Sequence, residues 1–511
     1  MKNPTEIWNC IKKHCKKEWK IAFLGTFLLG ILVHMPIMLR DIPNHDGLAS
    51  MYFDQNMITS GRWFLTVACG LSSYYTLPWL IGLLAMVYLG ITSVLLTEYL
   101  EVRQTWAILA ISGLLVVFPS LTSTFAYVFT MDGYMLAVLL AVLAVLLVKK
   151  YRLGFLPGAL CLALSLGIYQ AYLPFAVLLS LYGIFMIAAT EDSMKEKGKK
   201  VLNYLWMGIL GVIGYYVILQ ILLWIEGKQL ASYQGINGMT SAPTAGIMDT
   251  ILQMYRDFLA FTLKGNVFMN NLFAWGAMIL LGIGVLAVLI LLCRQKKWWK
   301  SVWFFVIIAV TIVSLPLCMN LILLISPEVT YHLLMRYQWV LLPVCMVAAV
   351  SRHSEKLPWA AWLGLAGSVI LIFNYVVMDQ IAYSNLEKKY EKTYAYCVRL
   401  LDRIEQTEGY YQGIPIAMIG VVGEESYPVT DLTEEVTSGM IGIGGDSLLY
   451  TGANYQTFIR NYLGATLNIL PPEAMEEMYY NEVYREMESF PGKDSIKIID
   501  GIMYIKTENQ E

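Results

Sequence analysis

Eleven runs of mostly apolar residues recur along the chain, at 21–39, 78–97, 105–118, 134–148, 153–169, 171–189, 201–225, 272–293, 301–325, 337–350 and 357–378. A helix needs roughly 20 such residues to cross the hydrocarbon core. The pattern therefore predicts an all-α polytopic membrane protein with eleven spans. The runs at 105–118, 134–148 and 337–350 are short, and each is expected to borrow residues from its flanking loop. From Asp379 the pattern turns soluble. A charged amphipathic helix is expected over 387–408, a buried strand over 414–422 ending at Gly423, helices over 455–463 and 472–487, and a hairpin across Asp500-Gly501. The reading is of two units, a membrane domain at 1–378 and a small extracytoplasmic α/β domain at 379–511.

The loops differ among themselves. In 40–77, Leu48, Met51, Tyr52, Met57 and Ile58 fall at helical spacing, which predicts an interfacial helix lying on the membrane. The segment 226–271 holds Gly235, Gly238, Pro243 and Gly246, an irregular stretch, before a helix expected over 247–263. Residues 167–172 can only be a tight turn between two spans.

Composition agrees with the class: 57% of the 511 residues are hydrophobic and 14% charged, against about a quarter charged in soluble domains. The net charge of −2 says little, but its placement says much. Counted by alternating loops, twenty Lys and Arg fall on the N-terminal side and six on the other, before the tail. Positive charge stays cytoplasmic, so the N-terminus is expected inside and the tail outside the membrane, with the first run as an uncleaved signal anchor. The eight cysteines are scattered and form neither a disulfide framework nor a zinc set.

Charge is expensive in lipid and marks function when it occurs there. Here the runs are nearly free of it, His34 being the one ionisable histidine inside them, which argues against proton-coupled transport and ion conduction. Carboxylates gather instead at the outer ends: Asp41, Asp46, Asp54, Asp132, Glu226, Asp249, Asp257 and Glu328. Asp46, in Asn44-His45-Asp46-Gly47, is the candidate general base towards an acceptor hydroxyl, with Asp41 and His45 as alternatives. An N-cap on a helix starting near Leu48 is the simpler role for it. Arg62, in Ser60-Gly61-Arg62-Trp63, could fork onto a phosphate, or snorkel with Trp63 as a belt anchor. Asp132 directly precedes a span, where the helix dipole favours its ionised form, and could pair with Arg62, hold a metal or cap the helix. Tyr169, Gln170 and Trp63 are amphipathic groups at the depth to meet sugar hydroxyls. His332 and Arg336, four apart on one expected helical face, are further phosphate contacts.

Taken together, Asn44-His45-Asp46-Gly47, Gly61-Arg62-Trp63, Phe129-Thr130-Met131-Asp132, Tyr169-Gln170 and Arg336 with Pro343 resemble the polytopic glucosyltransferases that modify O-antigen in serotype-converting phages. The resemblance covers roughly 20–345. It implies a GT-C-like enzyme with undecaprenyl-phosphate-glucose as donor, a surface glycan as acceptor, and an acidic residue in the first outer loop. The family often has two adjacent acids where this chain has His45-Asp46, so the first acid's role falls on His45 or is lost, and a divalent cation stays an open requirement. No nucleic-acid partner is expected. Rival readings are a lipid-linked sugar flippase or polysaccharide exporter, which needs a polar route through the spans, and a non-catalytic assembly subunit.

Overall fold

The computed structural model describes residues 3–51, 53–70, 74–190, 193–231, 246–296, 302–326, 329–419, 436–437, 439–440, 442–444, 448–449, 452–476 and 478–507. The expected glycine and proline positions Gly235, Gly238 and Pro243, the carboxylate Glu328 and the end of the 414–422 strand lie outside them.

The chain is a multi-pass helical membrane protein with a small sheet near its C-terminus. Its helices are α1 (Pro4–His14), α2 (Lys17–Leu39), α3 (His45–Ser50), α4 (Leu65–Ala68), α5 (Pro78–Tyr99), α6 (Thr105–Val117), α7 (Pro119–Phe125), α8 (Met131–Lys150), α9 (Phe155–Ile168), α10 (Leu173–Ala188) and α11 (Met194–Glu226). There follow α12 (Ile247–Leu259), α13 (Leu272–Lys296), α14 (Val302–Met319), α15 (Leu321–Ile325), α16 (Leu341–Ser351) and α17 (Pro358–Gln406). Nine of the expected runs fall on a single helix each, whereas 301–325 is split at Asn320 into α14 and α15 and 337–350 opens as a 3₁₀ turn before α16. Among the described residues seven helices are long and apolar enough to cross a membrane, or eight if the bent pair α6–α7 is one span, while Phe155–Ile168, Phe305–Met319 and Tyr337–Ser351 are shorter.

The short 105–118 run has a physical explanation. Pro119 disfavours the α conformation at the residue before it. Phe118 is accordingly extended (φ −67°, ψ 124°), and the axis bends by 45° into α7. Helix α7, expected as loop, is buried along its whole length. Its hydroxyls find partners inside: Ser120 donates to the Leu333 carbonyl at 2.7 Å and Thr122 to Asp379 at 2.7 Å.

Close helix contacts rest on glycine, as they do where lipid supplies no hydrophobic drive between helices. Gly30 and Gly82 face Met86 and Met38 across the α2–α5 crossing, and Gly90 faces Phe23. The basic segments meet at one end of the bundle. Glu98 is gripped by Lys16 (2.9 Å), Lys150 (3.3 Å) and Arg103 (3.6 Å), and Glu101 by Lys149 (2.7 Å) and Arg352 (3.2 Å).

The boundary expected at 378/379 falls inside α17, one continuous helix of 49 residues. Its far half carries Tyr396, Cys397, Leu400 and Ile404 into the tail core, so the apolar stripe of the span becomes that of an amphipathic helix without a break. The sheet runs β2-β1-β4-β3, with β1 (Pro415–Ile419) parallel to β2 (Asn468–Ile469) and to β4 (Ile502–Lys506), and β3 (Ile496–Ile499) antiparallel to β4. The β3–β4 turn is the expected one. Asp500 and Gly501 have φ of 47° and 79°, the paired positive values that a two-residue hairpin demands. The helix expected over 472–487 is three short pieces, Pro472–Met475, Met478–Tyr480 and Glu482–Glu486. The helix expected to lie on the membrane is shorter than read and turned elsewhere: α3 ends at Ser50, and Leu48 is buried in the tail core with Tyr455 and Phe458.

Candidate functional site

The motif residues gather at the bundle end opposite the basic segments. Asn44 is the N-cap of α3, its side-chain oxygen accepting the Gly47 N–H at 2.7 Å. This removes the simpler role for Asp46, which is left in the first turn with its side chain 56% exposed. His45 Nε2 lies 3.5 Å from Asp46 Oδ1. Burial, the larger effect, and the Lys389 charge hold His45 below its ordinary pKa, against the pull of Asp46. Asp41 is engaged elsewhere: it accepts the Tyr462 hydroxyl of the tail at 3.2 Å, and burial raises its pKa above the usual carboxylate range.

Arg62 is held by a clamp. Gly61 sits at φ 72°, and a Cβ there would meet Gln170 Nε2 and Tyr215 Oη, so glycine is needed both for conformation and for space. Gln170 Nε2 donates to the Ser60 carbonyl (3.1 Å) and to Tyr215 Oη (2.9 Å), while Tyr215 donates to the Gly61 carbonyl (3.1 Å). The turn so fixed sets the Arg62 guanidinium 4.7 Å above the Tyr169 ring, which stacks in turn on Tyr134 at 4.5 Å. Arg62 Nη1 donates to Tyr134 Oη at 3.2 Å. Trp63 packs flat on Gly167. The three residues expected to meet sugar hydroxyls all pack on this loop: Tyr169 under Arg62, Gln170 on the turn, Trp63 on the helix end.

Asp132 is buried in the first turn of α8, accepting the Gly133 N–H at 2.9 Å. Tyr134 lies two residues on, within electrostatic reach of both Arg62 and Asp46. Arg62 and Asp132 thus both meet the first turn of α8, while His45 and Gly47, on either side of Asp46, approach Tyr127 and Phe129 just before it.

Beside this lies a cavity of about 610 Å³ lined by Lys264, Asn266, His332, Arg336 and the tail glycines Gly439, Gly442 and Gly444. His332 and Arg336 are not on an α-helical face. They flank a single 3₁₀ turn, Leu333–Met335, whose first carbonyl is shared between the Arg336 N–H and the Ser120 hydroxyl. Both still line the cavity. Arg336 is a bidentate partner of Asp257 (2.7 and 2.8 Å) and stacks 3.8 Å from the Tyr331 ring centre. Partial burial, then the Arg336 charge, lower the pKa of His332, so at neutral pH it offers a hydrogen bond rather than a cation. Gly442 (φ 85°) packs against Asn44 and Tyr127, which joins the cavity wall to the Asp46 motif. Lys389 fixes that wall by donating to the carbonyls of Ile443 (2.9 Å) and Gly444 (3.2 Å).

Sequence reasoning missed Lys264, Tyr215, Lys389 and the Asp257 clamp. A tyrosine within a span and a lysine in a loop carry no local signal. Among the described residues no three His, Cys, Asp or Glu side chains converge as a metal set, and His45 with Asp46 is the nearest pair at this site.

A family model described as Glucosyl transferase GtrII matches residues 35–347. No curated protein and no solved structure matches the chain. The match takes in Asp46, Arg62, Asp132, Gln170, Lys264 and Arg336 and leaves out the tail. It covers more than half of the sequence, and the chain belongs to this family of membrane glucosyltransferases.

Proposed function

We propose that this GtrII-family enzyme transfers glucose from a polyprenyl-phosphate carrier to a cell-surface glycan at the outer face of a bacterial cell membrane, with the N-terminus cytoplasmic and all eleven runs crossing. The clustering of basic segments at one end and motif residues at the other supports this orientation.

The observation that carries the reading is the cavity shared by Lys264, His332 and Arg336, adjoining Asp46 through Asn44 and Gly442. In transfer, an acceptor hydroxyl attacks the anomeric carbon and passes its proton to Asp46. The bond from that carbon to the phosphate oxygen breaks, and the carrier phosphate leaves with the electron pair. Lys264 and Arg336 stabilise the charge on the departing phosphate, with His332 donating a hydrogen bond. Asp257 holds the Arg336 fork in one orientation. Arg62, held by Tyr169, Gln170 and Tyr215, presents a second cation near Asp132 and Tyr134. Any divalent cation would have to use His45 and Asp46 with donors from substrate.

The test is the surface glycan of cells with and without this protein, analysed by mass and linkage. One added hexose per repeat, present with the protein and absent without it, is the expected result. An unchanged composition with altered export would favour the flippase instead.

A further inference from the structure

At the opposite end of the bundle the structure holds a second cavity, of about 320 Å³, between the ends of α5, α8, α10 and α16 and the start of α11. Its floor is the buried pair Tyr99 and Tyr204, hydroxyls 3.3 Å apart. Gly183 makes this floor, because a Cβ there would run into both hydroxyls. Its rim carries Lys149, Lys200 and Arg352 against one carboxylate, Glu101. Among the described residues that line it, the cavity thus has two more positive than negative groups.

Arg352 and Lys149 are set by backbone rather than by charge alone. Arg352 Nε and Nη2 donate to the Leu100 carbonyl at 3.1 and 2.7 Å, while Lys149 donates to the Tyr99 carbonyl at 2.6 Å. Arg352 Nη1 faces the Met186 sulfur at 3.7 Å, a weak acceptor that an oxyanion would replace. Met186 and Ile187 form an apolar shoulder beside the cationic rim. A cationic pocket beside an apolar shelf, at the lysine-rich end of a membrane bundle, matches an amphiphile with an anionic head.

We infer that this cavity binds the phosphate headgroup of a membrane lipid, with Lys200 and Arg352 on the phosphate and the first methylenes of the tail against Ile187. The site is separate from the glucosyl-transfer site and stands whether or not that reading does.

Two lipids share this chemistry, a bulk anionic phospholipid and a polyprenyl monophosphate, and the experiment separates them. The full-length protein is placed in phosphatidylcholine nanodiscs doped with phosphatidylglycerol or with polyprenyl monophosphate, and bound lipid is counted by native mass spectrometry. Saturable retention of either doped lipid is expected, and the one retained identifies the source. Lys200→Gln should weaken retention about tenfold, one charge-assisted contact. Lys200 is exposed, so this change leaves folding intact. Lys200→Arg should keep retention, and Lys356→Gln, a basic residue at the same end but outside the cavity, should not alter it. Retention equal in Lys200→Gln and the parent, or no saturable retention of either lipid, would overturn the assignment.

Discussion

Asp46 owes its availability to its neighbour. Because Asn44 takes the cap, the Asp46 carboxylate is not the group that caps α3. His45, 3.5 Å away, then sets the acid side of the reaction. Its pKa lies below the ordinary 6.5, so it is neutral at pH 7, and protonation on acidification would pair it with Asp46 and quench the base. Transfer is expected to hold at neutral pH and to fall once the pH drops through the lowered pKa of His45, and the His45→Gln enzyme should lose that acid limb, read from a pH–rate profile. Arg62→Lys should keep the charge but lose the planar stack on Tyr169. That costs about 1 kcal/mol, measurable as a lower unfolding midpoint in detergent. Asp46, Arg62, Gln170 and Arg336 were legible because polar side chains at the ends of greasy runs stand out. Their partnerships were not. Gln170 reads in sequence as a sugar ligand, and its 2.9 Å contact with Tyr215, which fixes the Arg62 turn, carries no local signal.

Among the elements, apolar runs gave the positions of the long helices, and Asp500-Gly501 gave the hairpin, since both signals are local. The break at Phe118 followed from Pro119, but the burial of α7 did not, because serine and threonine look like loop until their partners Leu333 and Asp379 are in place. The same limit applied to α3, whose Leu48 is satisfied by the tail rather than by lipid. Turns between helices are set by glycine where backbone meets backbone. At Gly154 a Cβ would run into the Leu147 carbonyl. Gly154→Ala should therefore force the α8–α9 turn apart, costing about 1–3 kcal/mol, seen as a lowered thermal midpoint. Gly444 is its counterpart in the cavity wall, where a Cβ would run into the Thr437 carbonyl. Gly444→Ala should leave the protein inserted and extractable from membranes but reduce transfer, a split that a glycan assay on matched protein amounts would show.

Across the whole molecule, α17 ties the two units into one machine. It leaves the bundle, supplies Lys389 to the cavity wall and continues into the tail core. The tail lies outside the family match, yet its glycines line the cavity, so its absence should be felt in catalysis. A chain ended after residue 406 is expected to insert but not to transfer. None of this was legible in sequence, because composition changes at Asp379 while the helix does not.

The most direct test is single-turnover transfer by the purified enzyme in nanodiscs, from glucosyl polyprenyl phosphate to its glycan acceptor, comparing the parent with Asp46→Asn. Loss of a general base predicts a rate lower by about 100-fold or more, with donor affinity unchanged because the phosphate is held by Lys264 and Arg336. Transfer by Asp46→Asn at the parent's rate would contradict the account.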